Sequence, residues 1–327
     1  MTTQPLRWGL LSTARINRAL IPPLRSSKCN HLLAVASRTK EQADVYAREW
    51  DIPRAFGSYQ AMLDDPDIDV VYISLPNSLH AEWTIKAARA GKHVLCEKPL
   101  ALSILEVENI AAAKRENNVV IAEAFMYRHH PQTLKAQELV EGGVIGELRL
   151  IRGCFTFNLT RETDHHLDPA MGGGSLWDVG CYPVSFARYL VRSEPLEVSA
   201  MQVTGPSGVD EVFAGQMQFA GNILAQFDCG FRSPFRAQME IVGSEGSLTI
   251  PTPFKPGRRE KILLTHNGKV ETIRVPGQEL YLGEVEDMAD AILLGKPPRV
   301  SLTESRGNVA TILALLESAR TKQAIWL

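Results

Sequence analysis

A two-domain α/β architecture is what the 327-residue sequence predicts: an N-terminal doubly wound parallel sheet, then an α+β domain on a large, mostly antiparallel, open-faced sheet. Three observations predict it. The length exceeds what one hydrophobic core usually supports. Up to about residue 124 short apolar runs alternate with stretches of helical periodicity, the pattern of βαβ units feeding a parallel sheet. Beyond that point the chain turns to strand-like segments divided by Gly, Pro and Asn, several with the period-two alternation of a sheet with one wet face. The expected division is 1–124 and 125–327, with the C-terminal helix packing back on the first domain.

In the first part the expected strands are Arg7–Leu11, Leu32–Ser37, Val70–Leu75, His93–Glu97 and Val119–Ala124. Between them Ile16–Leu24, Glu41–Trp50, Ser58–Asp64, Leu79–Ala90 and Ser103–Asn117 read as helices, several opened by Ser caps. A further helix, Gln132–Val140, leads to a strand over Glu147–Phe157. In Phe235–Val242 the residues Phe235, Ala237, Met239 and Ile241 fall on one face, and Arg236, Gln238 and Glu240 on the other. The tail returns to helix over Tyr281–Leu294 and Thr303–Lys322, the latter with an apolar stripe of Val309, Ile312, Leu313, Leu316 and Ala319.

Lys and Arg number 35 against 37 Asp and Glu, a net charge of -2, which argues against a broad surface for nucleic acid or anionic membrane. Small molecules are the expected partners. Met1–Gly9 has no basic segment followed by an apolar one, and no apolar run approaches the roughly 18 residues that span a bilayer, so a cytoplasmic location is expected. The five cysteines lie far apart without a CxxC pair, and free buried thiols are expected.

Chemistry is concentrated where strands end. The first strand runs into Gly9-Leu10-Leu11-Ser12-Thr13-Ala14-Arg15-Ile16, where a dinucleotide-binding turn offers backbone N–H groups and a helix N-terminus to a pyrophosphate. The GxGxxG pattern is degraded: Gly9 begins the turn, Ser12 takes a glycine position and Ala14 the last, and an ordinary strand-to-helix turn would read the same way. The second strand ends in Ser37-Arg38, a hydroxyl and a cation where an NAD-binding protein usually carries a carboxylate. That pair suits the 2′-phosphate of NADP, which is therefore the preferred cofactor, with NAD possible. The third motif, Ile73-Ser74-Leu75-Pro76-Asn77-Ser78-Leu79-His80, leaves a hydrophobic strand at its carboxyl end. There Asn77 could meet ribose or nicotinamide, and His80 could cap or pack.

The following strand finishes in Cys96-Glu97-Lys98-Pro99, which sets a lysine ammonium at the edge where open α/β sheets bind ligands. Glu97-Lys98-Pro99 after a βα pattern resembles the signature of the Gfo/Idh/MocA oxidoreductase family, and the likeness extends over essentially the whole chain. It implies a Rossmann domain, a nicotinamide cofactor and a sugar-like substrate. It also implies that Glu123-Ala124-Phe125-Met126-Tyr127-Arg128 marks the crossing into the second domain, with Arg128 near the cofactor. Gly243-Ser244-Glu245-Gly246-Ser247-Leu248 looks like its recurrent sheet turn.

Gly172-Gly173-Gly174-Ser175-Leu176-Trp177-Asp178-Val179-Gly180-Cys181-Tyr182-Pro183 resembles the family's second catalytic motif. On a helix opened by the glycine run, Asp178 and Tyr182 stand at i, i+4 and face the same way. The resemblance joins them with Lys98 as one catalytic and substrate-binding constellation. Many members carry His in place of Tyr182. The tyrosine form is similar to glucose-fructose oxidoreductase, dimeric dihydrodiol dehydrogenase, xylose dehydrogenases and nucleotide-sugar ketoreductases, and it implies a homodimer or homotetramer. Thr163-Asp164-His165-His166-Leu167-Asp168 departs from the Asn-Ile-Arg that tyrosine-type relatives often carry before Leu-Asp. His165 of this loop is a candidate substrate contact, and no metal site is expected because a spaced third partner is lacking.

Overall fold

The computed structural model describes residues 4–161 and 163–327, so the first three residues of the Met1–Gly9 segment lie outside the described residues. The chain divides into two compact units, Met1–His129 with Tyr281–Ser305, and His130–Leu280 with Arg306–Leu327.

The first unit contains β1 (Leu6–Leu11), β2 (Asn30–Ala36), β3 (Arg54–Phe56), β4 (Val70–Ile73), β5 (His93–Glu97) and β6 (Ile121–Ala124). They form one parallel sheet in the order β3-β2-β1-β4-β5-β6. Every residue of β4 is buried, as a parallel strand covered on both faces requires. The intervening helices are α1 (Asn17–Ser26), α2 (Lys40–Glu49), α3 (Tyr59–Leu63), α4 (His80–Arg89) and α5 (Ile104–Asn117). After β1 the chain builds towards one sheet edge, and from β4 towards the other. The carboxyl ends of β1 and β4 therefore flank the topological switch point. The edge strand β3 has no counterpart among the expected strands. Three part-exposed residues between Pro53 and Gly57 are too few to display a period.

The second unit opens with α6 (Pro131–Glu141) and β7 (Leu148–Asn158), and α7 (Cys181–Val191) follows. Then come β8 (Glu197–Thr204), β9 (Asp210–Phe219), β10 (Ile223–Gly230), β11 (Arg232–Gly243), β12 (Gly246–Ile250), β13 (Arg259–His266) and β14 (Lys269–Pro276), with β15 (Ile325–Trp326) at the end of the chain. The nine-stranded order is β14-β13-β12-β11-β7-β10-β9-β8-β15, antiparallel except for β10 beside β7.

Along β9 and β10, Phe213, Met217, Ala225 and Phe227 enter the core while Gln216, Gln218 and Gln226 stay wet. In β11, Met239 and Ile241 are buried as their alternation requires, but Phe235 is 62% exposed. It lies in the irregular stretch between Arg232 and Arg236, where the pairing with β7 shifts register and the alternation loses its face.

Two expectations about the domain division are corrected. The segment of the tail that joins the first unit is not the terminal helix but α8 (Leu282–Leu294), which lies against α1. Helix α9 (Leu302–Thr321) belongs from Arg306 onward to the second unit, where the Ser318 hydroxyl accepts the Ala200 N–H at 3.0 Å and Leu315 packs over Gly215. The first crossing falls after His129, not after Ala124, because the helical turn Met126–His129 is buried with the first unit and Arg128 pairs with Glu304 at 3.3 Å. All five cysteines are free, with Cys96, Cys181 and Cys229 buried and Cys29 and Cys154 only half-buried.

Candidate active site

In the first unit the motifs meet at one sheet edge, the carboxyl ends of β2, β1, β4 and β5. Ser12 leaves β1 with φ 153°, a backbone conformation that glycine adopts freely and other residues rarely do. Its side chain explains how serine is held there. Ser12 Oγ lies 2.7 Å from Ser74 Oγ and accepts the Ala14 N–H at 3.1 Å, while Asn17 Nδ2 donates to the Ser12 carbonyl at 2.8 Å. The Ser74 hydroxyl in turn donates to Asn17 Oδ1 at 2.7 Å. This buried network bolts the ends of β1 and β4 and the start of α1 together at the switch point. Ser74 lies within the third motif without a role assigned to it and Asn17 lies outside the motifs, since nothing local marks a polar residue as one member of a distant triad.

The helix starts of this unit differ in how they are capped. Helices α2, α3 and α5 are capped by Thr39, Ser58 and Ser103, whose oxygens accept backbone N–H groups. Helix α1 begins without a side-chain cap, and its first N–H groups, those of Asn17, Arg18 and Ala19, donate to the carbonyls of Ala14, Arg15 and Ile16. An open groove of about 530 Å³, lined among others by Thr13, Arg15, Glu41 and Gln42, continues from this turn along α2. Ser37 is buried and donates its hydroxyl to Gln42 at 3.0 Å, so it shapes the loop, whereas Arg38 is exposed. Burial pushes the Tyr59 phenol up, and the positive charge of Arg38 opposes it. The side chains thus suit a dinucleotide carrying an extra phosphate.

His80 faces the protein interior. It is 1% exposed, with Nδ1 2.7 Å from the Pro99 carbonyl and Nε2 2.7 Å from the Leu75 carbonyl. The role is a structural hydrogen bond: the imidazole ties the Leu75-Pro76-Asn77 loop to the Lys98–Pro99 segment. Burial lowers its pKa, with the two carbonyls opposing.

Lys98 is set by carboxylates around its backbone. Glu97 accepts the Tyr72 hydroxyl on one oxygen and the Lys98 N–H on the other at 3.2 Å, and Glu123 accepts the Leu100 N–H at 2.9 Å. Glu97 thereby positions Lys98. Beneath them Glu284 is buried, its carboxyl driven well above the usual range by burial and then by Glu97 and Asp287. Arg128, expected near the cofactor, is buried against Glu304.

In the second unit the glycine run does what the motif implied. Gly172 and Gly174 have φ 76° and 122°, and any side chain on Gly174 would collide with Asp210. Asp210 Oδ2 accepts the Ser175 hydroxyl at 2.7 Å and the Leu176 N–H at 2.8 Å, anchoring the helix start. That helix begins as one π-turn, Leu176–Gly180, before becoming α7. The wider turn still brings residues four apart to within about 35° of each other, so Asp178 and Tyr182 share a face. Gly153 of β7 lets Pro183 approach the sheet closely, and the Tyr182 ring packs edge-on to Phe155 at 5.3 Å and beside Phe254 at 5.4 Å.

The loop before this helix brings an unexpected neighbour. His166 Nε2 is 3.5 Å from Asp178 Oδ1, and its Nδ1 is 2.5 Å from Asp164 Oδ1. His165, the residue singled out from sequence, stacks on His166 at 3.9 Å and is the more exposed of the two. Asp164, His165 and His166 offer ligand atoms within 4.8 Å of one another, a closeness that the imidazole–carboxylate hydrogen bonding itself accounts for.

A parallel sheet of this order with a backbone-donor turn at its switch point defines a dinucleotide-binding class. The chain belongs to the Gfo/Idh/MocA oxidoreductase family: residues 6–125 match the oxidoreductase family's NAD-binding Rossmann fold, and residues 133–249 match the GFO/IDH/MocA C-terminal domain. It is 36% identical over 324 residues to a D-xylose 1-dehydrogenase (NADP(+)) of Haloferax volcanii, covering 98% of this chain and 99% of that one. It is 33% identical over 252 residues to a trans-1,2-dihydrobenzene-1,2-diol dehydrogenase of Danio rerio, covering 75% and 74%. Among solved structures, a 3-ketoreductase from Actinomadura kijaniata in complex with NADP and TDP-benzene superposes with a TM-score of 0.91 at 29% identity, covering 96% and 98%.

Proposed function

We propose that the protein transfers a hydride between NADP(H) and a carbinol or carbonyl carbon of a sugar or sugar-like polyol. What supports this most directly is the setting of Tyr182, a buried phenol held by Phe155 and Phe254 on the helix that also carries Asp178. When bound, the nicotinamide supplies or accepts the hydride. In the oxidative direction the carbinol C–H bond breaks as the hydride leaves, and Tyr182 takes the hydroxyl proton. An unperturbed phenol titrates near pH 10, so this role needs a cation, which Lys98 supplies while also donating to the oxygen as charge develops. Asp178 orients a substrate hydroxyl. Arg38 reads the 2′-phosphate, and the turn Ser12 to Ile16 receives the pyrophosphate.

The likeness to the xylose dehydrogenase favours an aldose. A nucleotide-linked keto sugar or a trans-dihydrodiol is the alternative, and a cofactor-bound sugar sensor the non-enzymatic one. Screening aldoses, ketoses, inositols and dihydrodiols with NADP+, NAD+ and both reduced forms should reveal turnover with NADP(H). Sugar binding without any absorbance change across that panel would leave only the sensor.

The open sheet face supports self-association. Met201 and Val203 of β8 are 81% and 61% exposed, and the register puts Val212 of β9 and Leu224 of β10 on the same side. A homodimer or homotetramer through this face is part of the proposal, as is a cytoplasmic location. Among the described residues no helix is long and apolar enough to cross a membrane.

A further inference from the structure

The loop 163–168 offered His165 as a candidate substrate contact, yet it is its second histidine that sits against the helix carrying Tyr182. We propose that His166 is a positioning residue for Asp178: tethered through Nδ1 to Asp164, the imidazole donates from Nε2 to Asp178 and fixes both the direction and the negative charge with which that carboxylate meets a substrate hydroxyl.

The geometry carries the inference. Asp164 Oδ1 is 2.5 Å from His166 Nδ1 and also accepts the His166 backbone N–H at 3.1 Å, so the ring is held by its own loop. Burial works against the Asp164 charge, yet these two hydrogen bonds outweigh it and bring its pKa below the ordinary carboxylate range. Asp164 is thus an anion, and it requires a proton on Nδ1. The opposite nitrogen points at Asp178 Oδ1, 3.5 Å away, and the carboxylates on either side are each 86% removed or more from water, their side chains 14% and 13% exposed. The proposal places a second proton on Nε2, between the ring and Asp178 Oδ1.

On its own loop the ring lies beside His165, centroid to centroid at 3.9 Å. From the sheet the neighbour is the uncharged ring of Phe231, at 6.2 Å. The loop itself is bound to the helix start: Gly174 donates its N–H to the His166 carbonyl at 2.9 Å, and a side chain on Gly173 would strike that same carbonyl. His166 therefore moves with the turn that carries Asp178, which is what a positioning residue needs.

This inference rests on the oxidoreductase reading above, and its test separates the two. Glutamine can present a donor where Nε2 stood and asparagine one where Nδ1 stood, so they divide the contact to Asp178 from the tether to Asp164. His166→Ala should lower kcat by about thirtyfold or more with KM and NADPH affinity changed less than about threefold. His166→Gln should recover kcat to within about fivefold of wild type, and His166→Asn should not. Recovery by Asn alone, or an Ala variant with wild-type kcat, would overturn the proposal. A second arm needs no substrate. The ring-nitrogen resonances of His166, assigned by their loss in His166→Ala or His166→Gln, should shift at pH 7 in Asp178→Asn, and unchanged resonances would also overturn it. A wild-type protein inert towards the whole substrate panel would sink the redox reading, while the resonance arm would still decide the role of His166.

Discussion

The backbone N–H of Leu176 donates to Asp210 Oδ2 at 2.8 Å, so a carboxylate from the first residue of β9 holds the start of the helical segment that carries Asp178 and Tyr182. Asp210 is 4% exposed. Burial raises its pKa to about 6, against the opposition of the Ser175 and Leu176 hydrogen bonds. The folded state thus binds this proton more tightly than the unfolded chain does. Its contribution to stability is greatest in acid and is lost as pH rises towards 6 and beyond.

Asp210→Asn keeps an oxygen for both donors and removes the charge. A folded pKa of about 6 against an ordinary 3.8 corresponds to roughly 3 kcal/mol, so wild type should lose on the order of that much stability relative to the Asn variant between pH 4 and pH 7. Urea unfolding of both proteins across that range checks it. Two stability curves that run parallel would show that Asp210 does not titrate with folding.

Tyr182→Phe removes the phenol oxygen and retains the edge contacts with Phe155 and Phe254 that seat the ring. Turnover should fall by on the order of a hundredfold or more, with the melting temperature and NADPH affinity close to wild type. Turnover that survives the substitution would take Tyr182 out of the reaction.

Arg38 is an exposed guanidinium at the end of β2, next to a serine already committed to Gln42. If it reads a 2′-phosphate through charge-assisted hydrogen bonds, Arg38→Ala should weaken NADPH binding by about tenfold to a hundredfold and NADH binding by less than about threefold. Fluorescence titration with the two cofactors measures the ratio, and equal losses would mean that the cation does not discriminate between them.

The parts of this architecture that were legible share one property: their signal is local. Strand β5 stands where its apolar run puts it, and α5 begins where Ser103 caps it, because burial on both faces and a short-range hydrogen bond leave their mark within a few residues. Strand β3 was hidden because three edge residues carry no period, and Phe235 misled because alternation assumes an unbroken register. The destination of the tail was misjudged for a related reason. An apolar stripe announces that a helix is buried and says nothing of what buries it, so α8 and α9 exchanged roles.

The sequence by itself determined where the candidate residues stand: Lys98 at a strand end, and Asp178 and Tyr182 at a helical spacing that survives a π-turn. Tertiary structure alone decided what holds them. Ser12 can occupy a glycine conformation because Ser74 and Asn17, distant in sequence, satisfy its polar atoms. His80 turns inward because two carbonyls from separate loops meet its ring. His166 faces Asp178 because the glycine turn folds the loop back on the helix start. Side-chain type is written residue by residue, whereas a hydrogen-bond partner is chosen only when folding fixes which groups lose water together.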